Sequence, residues 1–385
     1  MRLVIAPDSF KGSLTAVEVA QTVAAAAARE WPELECKLLP MADGGEGTVA
    51  TLVSATGGVQ IPVRVTGPRG GWVDTFYGVL GDGVTAALEV ATVAGLPMVP
   101  LAARNPMQTT TQGLGEVMQH ALSAGYRKFV VGLGGSATND GGIGLLQALG
   151  ACFNAVDGQA VPTNGWGMTQ VAAVNLSGLD VRLRECEIRI AVDVDNPLCG
   201  PLGASVVFGP QKGATPAQVA LLDAGMNRYA NLVERELHLS LQTTPGAGAA
   251  GGLGFAFMAL GAIMIPGAQL IGETVGLEAE VTEADWVLTG EGQSDAQTLH
   301  GKLPFYVARV AHRHHVPTIL LSASLGKDSQ ALYDVFASIH AITPRPMTLE
   351  EAMAQAHELL FEAARNLIRV LKGLRSTTCG THLVK

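Results

Sequence analysis

Short apolar runs alternate with amphipathic, alanine-rich segments along most of the chain. Arg2–Pro7 and Leu34–Pro40 have the length and apolar character of buried strands. Between them, Thr15 and Glu18 stand at the spacing of a capping box, which predicts the start of a helix. This order of strand and helix indicates the opening of a doubly wound, mainly parallel α/β sheet.

The residue pattern changes from about Ile61 to Val90, where alternating Val, Thr, Phe and Tyr are interrupted by glycine-rich turns. That pattern predicts antiparallel hairpins and the start of a second domain. Further on, the sequence predicts strands at Lys128–Leu133, Ile188–Val192, Trp286–Leu288 and Val316–Ser322, and a closing helix at Leu349–Leu371.

The length of 385 residues indicates more than one domain, because a single core stops growing near ~250–300 residues. No tandem repeat or low-complexity linker separates the parts, so we expect two interleaved domains. Residues 1–61 plus 280–372 are predicted to form a discontinuous first domain and residues 62–279 the second. Residues 373–385 are predicted to be a polar tail.

Composition narrows the function classes. Apolar residues make up 48% and charged residues 15%, which excludes a disordered chain. The formal net charge of −9 argues against nucleic acid or an anionic membrane as partner. The uncharged stretch 239–272 is interrupted by glycines and Pro266, so a buried helix after Gly248–Gly252 is favoured over a membrane span. Dispersed cysteines and an N-terminus that reads as a strand favour a cytoplasmic protein.

Glycine-rich polar clusters follow the ends of the apolar runs, at residues 6–13, 42–48, 134–142, 193–197 and 289–295. Glycine lets backbone N–H groups approach a ligand, and the adjacent Ser, Thr, Asn, Asp and Lys side chains suit phosphates, hydroxyls or a hard cation. In open α/β sheets, ligands bind at the carboxyl ends of the strands. The pattern predicts an enzyme that acts on a small polar, phosphorylated substrate.

Phosphoryl transfer needs donors for phosphate oxygens, carboxylates for Mg²⁺, and a base for the attacking hydroxyl. The clusters supply candidates for all three roles. They are Asp8, Ser9, Lys11, Asp43, Gly44, Gly45, Glu46, Gly134, Gly135, Ser136, Thr138, Asn139, Asp140, Asp193, Asn196, Glu291, Gln293, Asp295 and Lys302.

Structural alternatives stand beside several of these candidates. Lys11 is also explained as a solvated lysine at a helix entry, and Glu46 as an acidic residue in the first turn of a helix. Asn196 suits an Asx-turn before a proline, and Asp295 suits the N-cap of the following helix. His312 and its neighbours end a helix and are not expected to bind metal.

Two rival functions remain open from the residues alone. Gly132–Ala137 matches a loose dinucleotide fingerprint after a strand, which would suit a nicotinamide-dependent hydroxy-acid dehydrogenase. Further polar residues and glycines intervene before any apolar helix, which counts against it. A non-catalytic hydroxy-acid sensor is the second rival. A Walker phosphate-loop motif is absent from the sequence.

The clusters together resemble the type-one bacterial glycerate kinase family. The resemblance is carried by residues 6–14, 42–48, 132–142, 193–197, 248–254 and 289–302, in that order, and spans the chain to about residue 372. Two segments depart from the family pattern, Gln293-Ser294 and Asn164–Met168, and both bear on substrate preference rather than on chemistry.

The resemblance implies ATP- and Mg²⁺-dependent phosphorylation of D-glycerate to 2-phosphoglycerate. It implies two dissimilar α/β domains, one Rossmann-like, with the active site in the cleft, and a homodimer is a further expectation. On this basis Lys11 would bind the glycerate carboxylate, and Asp295 or Asp193 would act on the hydroxyl. Glu291 or Asp193 would hold Mg²⁺, and Gly134–Gly142 would cradle the nucleotide phosphates.

Overall fold

A computed structural model describes residues Met1–Cys379. The strands are β1 Arg2–Ile5, β2 Glu35–Leu38, β3 Val59–Thr66, β4 Trp72–Val79, β5 Thr85–Glu89, β6 Lys128–Gly132, β7 Cys152–Asn154, β8 Ala173–Asn175, β9 Glu187–Ala191, β10 Ile263–Ile265, β11 Trp286–Thr289, β12 Gln293–Ser294, β13 Thr318–Ser322, β14 Ser324–Leu325 and β15 Ser338–Ala341. The α-helices are α1 Ala16–Glu30, α2 Thr48–Thr56, α3 Ala91–Ala94, α4 Gln112–Ser123, α5 Ile143–Ala148, α6 Gly165–Gln170, α7 Ala204–Phe208, α8 Pro216–Leu237, α9 Ala249–Ala259, α10 Gly267–Thr274, α11 Leu277–Thr282, α12 Leu303–Arg313, α13 Leu349–Ala354 and α14 Ala356–Cys379.

The chain divides into two compact units. The first unit combines Met1–Ala42 with the segment from Ile271 onward, and the second is Asp43–Leu270. The sequence predicted boundaries after residues 61 and 279 instead. The difference arises because α2 packs on β4 and β5, so the chain enters the second unit before that helix.

The first unit contains a wholly parallel sheet in the order β15-β13-β11-β1-β2. Numbered within this sheet alone, the order is 5-4-3-1-2, the arrangement of flavodoxin-like doubly wound folds. The predicted α/β class with mainly parallel sheets is confirmed. The capping box of α1 is also present, since Glu18 N donates to Thr15 Oγ1 and Thr15 N donates to Glu18 Oε2.

Helices cover both faces of this sheet. Ile319 and Leu321 of β13 join a cluster with residues of α1 and α14, while Leu320 between them packs with Ala308 of α12. Neighbouring residues of a strand point to opposite faces, so an apolar run without polar interruption is what a doubly covered strand requires. The first core therefore lies in two layers around one sheet.

The second unit contains a mixed sheet in the order β10-β9-β6-β5-β4-β3. Strands β10, β9, β6 and β5 are parallel, and β5, β4 and β3 are joined antiparallel, as the alternating pattern of residues 61–90 predicted. One continuous apolar cluster covers it and includes Phe129, Tyr229 and Phe255. At the start of α9, Gly251 and Gly252 have left-handed backbone conformations. The buried helix that the sequence predicts therefore follows a glycine turn.

The C-terminal helix differs from the prediction. The single closing helix divides into α13 and α14 at Gln355, and α14 continues through residues that were predicted to be a polar tail, as far as Cys379. The rest of that predicted tail lies outside the described residues. No helix within Met1–Cys379 is long and apolar enough to cross a membrane.

Candidate active site

In the first unit, the polar loops after β1 and β11 lie side by side. The two strands are parallel neighbours, with Ile5 opposite Leu288, and the chain order of the sheet reverses direction between them. Such a switch point leaves a crevice beyond the strand ends where ligands bind. The backbone N–H of Asp8 donates to the carbonyl of Gly290 at 2.8 Å, which joins the two predicted clusters.

Glu291 organises the second of these loops. Its side chain is buried, and Oε1 accepts hydrogen bonds from Ser294 Oγ at 3.0 Å and Thr298 Oγ1 at 2.7 Å. The ammonium of Lys302 lies 3.4 Å from Oε2. Both carboxylate oxygens of Glu291 thus have partners inside the unit, one of them a cation.

Asp295 serves as the N-cap of the short 3₁₀-helix Ala296–Leu299. Its Oδ1 accepts from Gln297 N at 2.8 Å, and its own backbone N–H donates to Thr298 Oγ1 at 3.1 Å. Within Met1–Cys379 its Oδ2 makes no hydrogen bond. The structural alternative for Asp295 is thus present, and the cap leaves one oxygen able to act on a ligand.

The remaining candidates of this unit lie at its surface or close to it. Lys11 and Gln293 are exposed, and Gln293 belongs to the two-residue strand β12, which pairs with β14. Asp8 and Ser9 are half-buried, and Ser9 N donates to Asp8 Oδ1 at 2.7 Å. An exposed ammonium on a loop that follows a strand suits a polar, anionic ligand better than an apolar one.

In the second unit, the Asp43–Gly47 loop lies across the carboxyl ends of parallel strands. Gly134 N donates to Gly44 O at 2.9 Å, and a Cβ added to Gly134 would lie 2.5 Å from the Cα of Gly45. Only glycine permits this contact between two backbones. Gly45 N also donates to Asp43 Oδ1 at 2.9 Å, whereas Glu46 is exposed. Two glycine loops far apart in sequence therefore form one backbone surface.

Asp193 follows β9, the strand that pairs with β6 in the same sheet. It is exposed, and its Oδ1 accepts from the backbone N–H of Gly267 at 2.8 Å. Asn196 is turned toward its own loop, where Nδ2 donates to Leu202 O at 2.8 Å. This contact is not the expected Asx-turn, in which Asn196 Oδ1 would accept from Leu198 N; that N–H donates to Gln242 O, and the turn alternative stays a prediction. Asp193 is held at a strand end with its carboxylate at the surface.

The run Ser136–Asp140, predicted as a polar ligand loop, is buried inside the second unit. Asp140 is fully buried, and its carboxylate accepts from Thr111 N and Oγ1, each at 2.8 Å, and from Gly142 N at 3.1 Å. Burial raises the pKa of Asp140 to about 6, against these hydrogen bonds, which lower it. The carboxylate of Asp140 fixes the loop internally, and ligand contact by it stays a prediction.

Sequence reasoning missed two buried charged residues near these loops. Glu89, at the end of β5, accepts from Gly47 N at 3.1 Å and Val49 N at 2.7 Å, and burial raises its pKa to about 7. Lys212 is buried, and its Nζ donates to Ser136 Oγ at 2.9 Å and Thr138 O at 2.6 Å. Burial lowers the pKa of Lys212 to about 7. Glycines close to Lys212 in the sequence, 209 and 213, were the available signal.

The structure thus brings the candidates together in two sets, one in each unit. The first unit joins the loops of Asp8 and Gly290–Asp295, with Lys302 beside Glu291. The second joins Asp43–Gly45 to Gly134, and Asp193 to the turn at Gly267. The expected cleft between two domains stays a prediction.

Parallel strands that end in glycine loops and polar side chains are typical of α/β enzymes that bind small polar ligands. The sequence profile described as "Glycerate kinase family" matches residues 3–372. The chain belongs to this family, whose members are kinases that use ATP.

Individual relatives agree with that membership. A glycerate kinase of Bacillus subtilis (strain 168) is 44% identical over 374 residues, covering 97% of this chain and 98% of the relative. A glycerate 2-kinase of Escherichia coli (strain K12) is 42% identical over 383 residues, covering 98% and 100%.

A solved structure has the same fold. It is a crystal structure from Salmonella typhimurium LT2, described as a glycerate kinase 2, and it superposes with a TM-score of 0.88 at 44% identity, covering 98% of this chain and 99% of that one. Nothing in these comparisons supports the dehydrogenase or sensor readings. In addition, α5 begins only at Ile143, well after the Gly132–Ala137 fingerprint, whereas a dinucleotide fingerprint runs directly into its helix.

Proposed function

We propose that this chain transfers the terminal phosphoryl group of ATP to the 2-hydroxyl of D-glycerate, giving 2-phosphoglycerate and ADP. The observation that carries the proposal is the match to the glycerate kinase family over residues 3–372. The loops of Gly44 and Gly134, which are hydrogen-bonded to each other at the carboxyl ends of the second unit's strands, support the proposal. Backbone N–H groups of such loops commonly bind phosphates.

We assign nucleotide phosphates to the second unit. Gly44 and Gly45 lie against Gly134, and the half-buried or exposed glycines of these loops, Gly45, Gly134 and Gly135, expose backbone to a ligand. Ser136, Thr138 and Asn139 of the same loop are buried, and we propose that they hold its backbone in place. The nucleotide contact is therefore made mainly by backbone, which suits a ligand whose charge is spread over many oxygens.

We assign the glycerate carboxylate to Lys11, with Asp8 and Ser9 beside it. Lys11 is exposed at the strand end of the first unit, where an ammonium can form a charge-assisted contact with a carboxylate. Gln293 is also exposed in this unit, and we assign it to substrate preference because it departs from the family pattern.

Asp295 is our candidate for the general base. Its Oδ1 is fixed by Gln297 N, which orients the carboxylate and leaves Oδ2 to accept a proton. In the proposed step the 2-hydroxyl loses its proton to Oδ2, the oxygen bonds to the terminal phosphorus of ATP, and the bond from that phosphorus to ADP breaks. Lys302 pairs with Glu291 and holds the loop that carries Asp295.

Two carboxylates, Glu291 and Asp193, are the predicted ligands for Mg²⁺, and their surroundings differ. Glu291 fits poorly as a ligand, because its oxygens accept from two hydroxyls and lie beside the Lys302 ammonium. Asp193 fits, because it is an exposed carboxylate at a strand end and Mg²⁺ usually takes only one or two protein carboxylates together with phosphates and water. Within Met1–Cys379 no three His, Cys, Asp or Glu residues group together as a metal site. When bound, Mg²⁺ would neutralise charge on the transferred phosphoryl group.

The test is an ADP-release assay with purified protein, ATP, Mg²⁺ and D-glycerate or L-glycerate, followed by phosphorus NMR of the product. We expect ADP release that depends on D-glycerate, and a product resonance whose proton coupling shows phosphate on the 2-carbon. A 3-phosphate product would overturn the regiochemistry alone. Glycerate-independent ATP hydrolysis, or no ADP at all, would overturn the proposed function.

Two further expectations accompany this proposal. We propose that the protein acts in the cytoplasm on a freely diffusing small molecule, and that it forms a homodimer. Light scattering after size-exclusion chromatography measures the mass of the species in solution, and a mass near that of one chain, 39.8 kDa, would exclude the dimer.

A further inference from the structure

Lys212 connects a separate segment of the second unit to the glycine loop. It ends the short 3₁₀-helix Pro210–Lys212, and its side chain is 3% exposed. Its ammonium donates to Ser136 Oγ at 2.9 Å and to the carbonyl oxygen of Thr138 at 2.6 Å. Gly213 lets this segment approach the backbone of Arg104 closely, since a Cβ there would lie 2.3 Å from the carbonyl oxygen of Arg104.

Packing alone does not explain a lysine at this position. Burying an ammonium costs several kcal/mol unless an opposite charge and hydrogen bonds offset it, and an apolar side chain of similar length often fills such a space at less cost. The opposite charge here is the buried Asp140, whose attraction raises the pKa of Lys212, whereas burial lowers it. Charged groups kept at such a cost concentrate at functional sites.

A second observation comes from the loop that Lys212 holds. Thr138 Oγ1 and Asn139 Oδ1 are buried and, among the described residues, have no hydrogen-bond partner. Buried polar atoms without partners are uncommon and destabilising. The loop therefore carries an energetic cost that contacts from outside it, such as those of Lys212, help to offset.

We propose that Lys212 is a positioning residue for phosphoryl transfer, whose ammonium group fixes the backbone between Ser136 and Thr138 so that the Gly134–Gly142 loop is preorganised for the nucleotide phosphates. The inference rests on the nucleotide role proposed above for this loop. Lys212 acts through Ser136 and Thr138 and does not itself touch the substrate. Preorganisation of this kind matters because small displacements of a binding group cost large factors in rate.

The experiment compares Lys212→Met in the full chain with Lys128→Met, which changes an exposed lysine at the start of β6 in the same unit. For K212M we expect the KM for ATP to rise by ~10-fold or more, with the KM for glycerate changed by less than ~2-fold. K128M should keep both constants. Thermal melting of both variants gives the folded fraction. Unchanged KM for ATP in K212M, or a fall in kcat that only follows the folded fraction, would overturn the proposal.

Ser136→Ala keeps the inference testable if K212M fails to fold. It removes one acceptor of the Lys212 ammonium and creates only a small cavity. We expect the KM for ATP to rise by ~3-fold. An unchanged KM for ATP in S136A would then overturn the proposal. If K212M folds, adding S136A to it should have almost no further effect, because the two residues act through one contact. A wild-type chain that does not use ATP would defeat the proposed function, whereas an active wild type with an unaffected K212M defeats only this inference.

Discussion

The two units both place polar loops at the ends of parallel strands, yet among the described residues the second unit buries three charged side chains near its loops and the first buries one, Glu291. In the second unit Glu89, Asp140 and Lys212 are buried, and burial moves the pKa of each to between about 6 and about 7. In the first unit Lys11 is exposed and Asp295 half-buried. The comparison indicates that the buried charges of the second unit shape its backbone through hydrogen bonds, as Glu89 and Lys212 do. Ligand contact by Lys11 and Asp295 of the first unit stays a proposal.

The difference agrees with the ligand that we propose for each unit. Phosphates carry many acceptor oxygens, and a rigid surface of backbone N–H groups matches them with little need for side chains. A three-carbon acid offers one carboxylate and two hydroxyls, which need individual side chains for recognition and proton transfer. Substitutions in the second unit should therefore affect stability and nucleotide binding, and those in the first unit should affect turnover and glycerate binding.

The largest expected effect is that of Asp140→Ala. It leaves the donors of Thr111 and Gly142 without an acceptor and removes the negative charge that attracts the Lys212 ammonium, and it should lower the free energy of unfolding by roughly 3–5 kcal/mol. Urea denaturation followed by circular dichroism measures it. Asp74→Ala removes an exposed carboxylate of the same unit and should cost less than ~1 kcal/mol. Equal costs would remove the distinction between buried and exposed charge.

The raised pKa of Glu89 should make the free energy of unfolding depend on pH. Its pKa is raised from 4.5 to about 7 in the folded chain, so folding favours the protonated form. The stabilisation is complete below pH 4.5 and is lost as the pH rises toward 7, by roughly 3 kcal/mol for this group. Glu89→Gln should flatten the dependence of the unfolding free energy on pH in that window, and Glu187→Gln, an exposed control, should not. Parallel curves for wild type and E89Q would contradict the assignment.

Asp295→Asn separates capping from catalysis in the first unit. Asparagine caps a helix as well as aspartate, so the melting temperature should stay near that of the wild type. As a base it is ineffective, and kcat should fall by ~10²-fold or more. Steady-state kinetics with saturating ATP measure the change. Near-normal turnover would show that Asp295 only caps Ala296–Leu299.

The smallest expected effect is that of Lys11→Ala. If Lys11 binds the glycerate carboxylate equally in the ground and transition states, the KM for glycerate should rise by ~10-fold with kcat unchanged. Lys327→Ala, at another exposed lysine of the first unit, serves as the control and should change neither constant. If K11A instead raised the KM for ATP, the division of ligands between the two units would need to be reversed.

Most of the helices and strands that form the two sheets could be predicted from local patterns in the sequence. The capping box at Thr15 and Glu18 and the strand patterns are readable because they depend on residues close together in the chain. The contact of Gly134 with Gly44, and of Lys212 with Ser136, depends on which strands become neighbours, and no local pattern records that. Burial was the other unknown: a polar run between glycines suggested an open loop, but Thr138–Asp140 lie in the core.

The backbone contact between Gly44 and Gly134 limits how this protein can be altered. Neither residue can gain a side chain without displacing its neighbours, since a Cβ on Gly44 would lie 2.8 Å from the Cβ of Ala191 at the end of β9 and one on Gly134 would lie 2.5 Å from the Cα of Gly45. Libraries that randomise either position and select for growth on the substrate should return glycine almost every time. Attempts to broaden the range of acids accepted should instead diversify Gln293, an exposed side chain of the first unit.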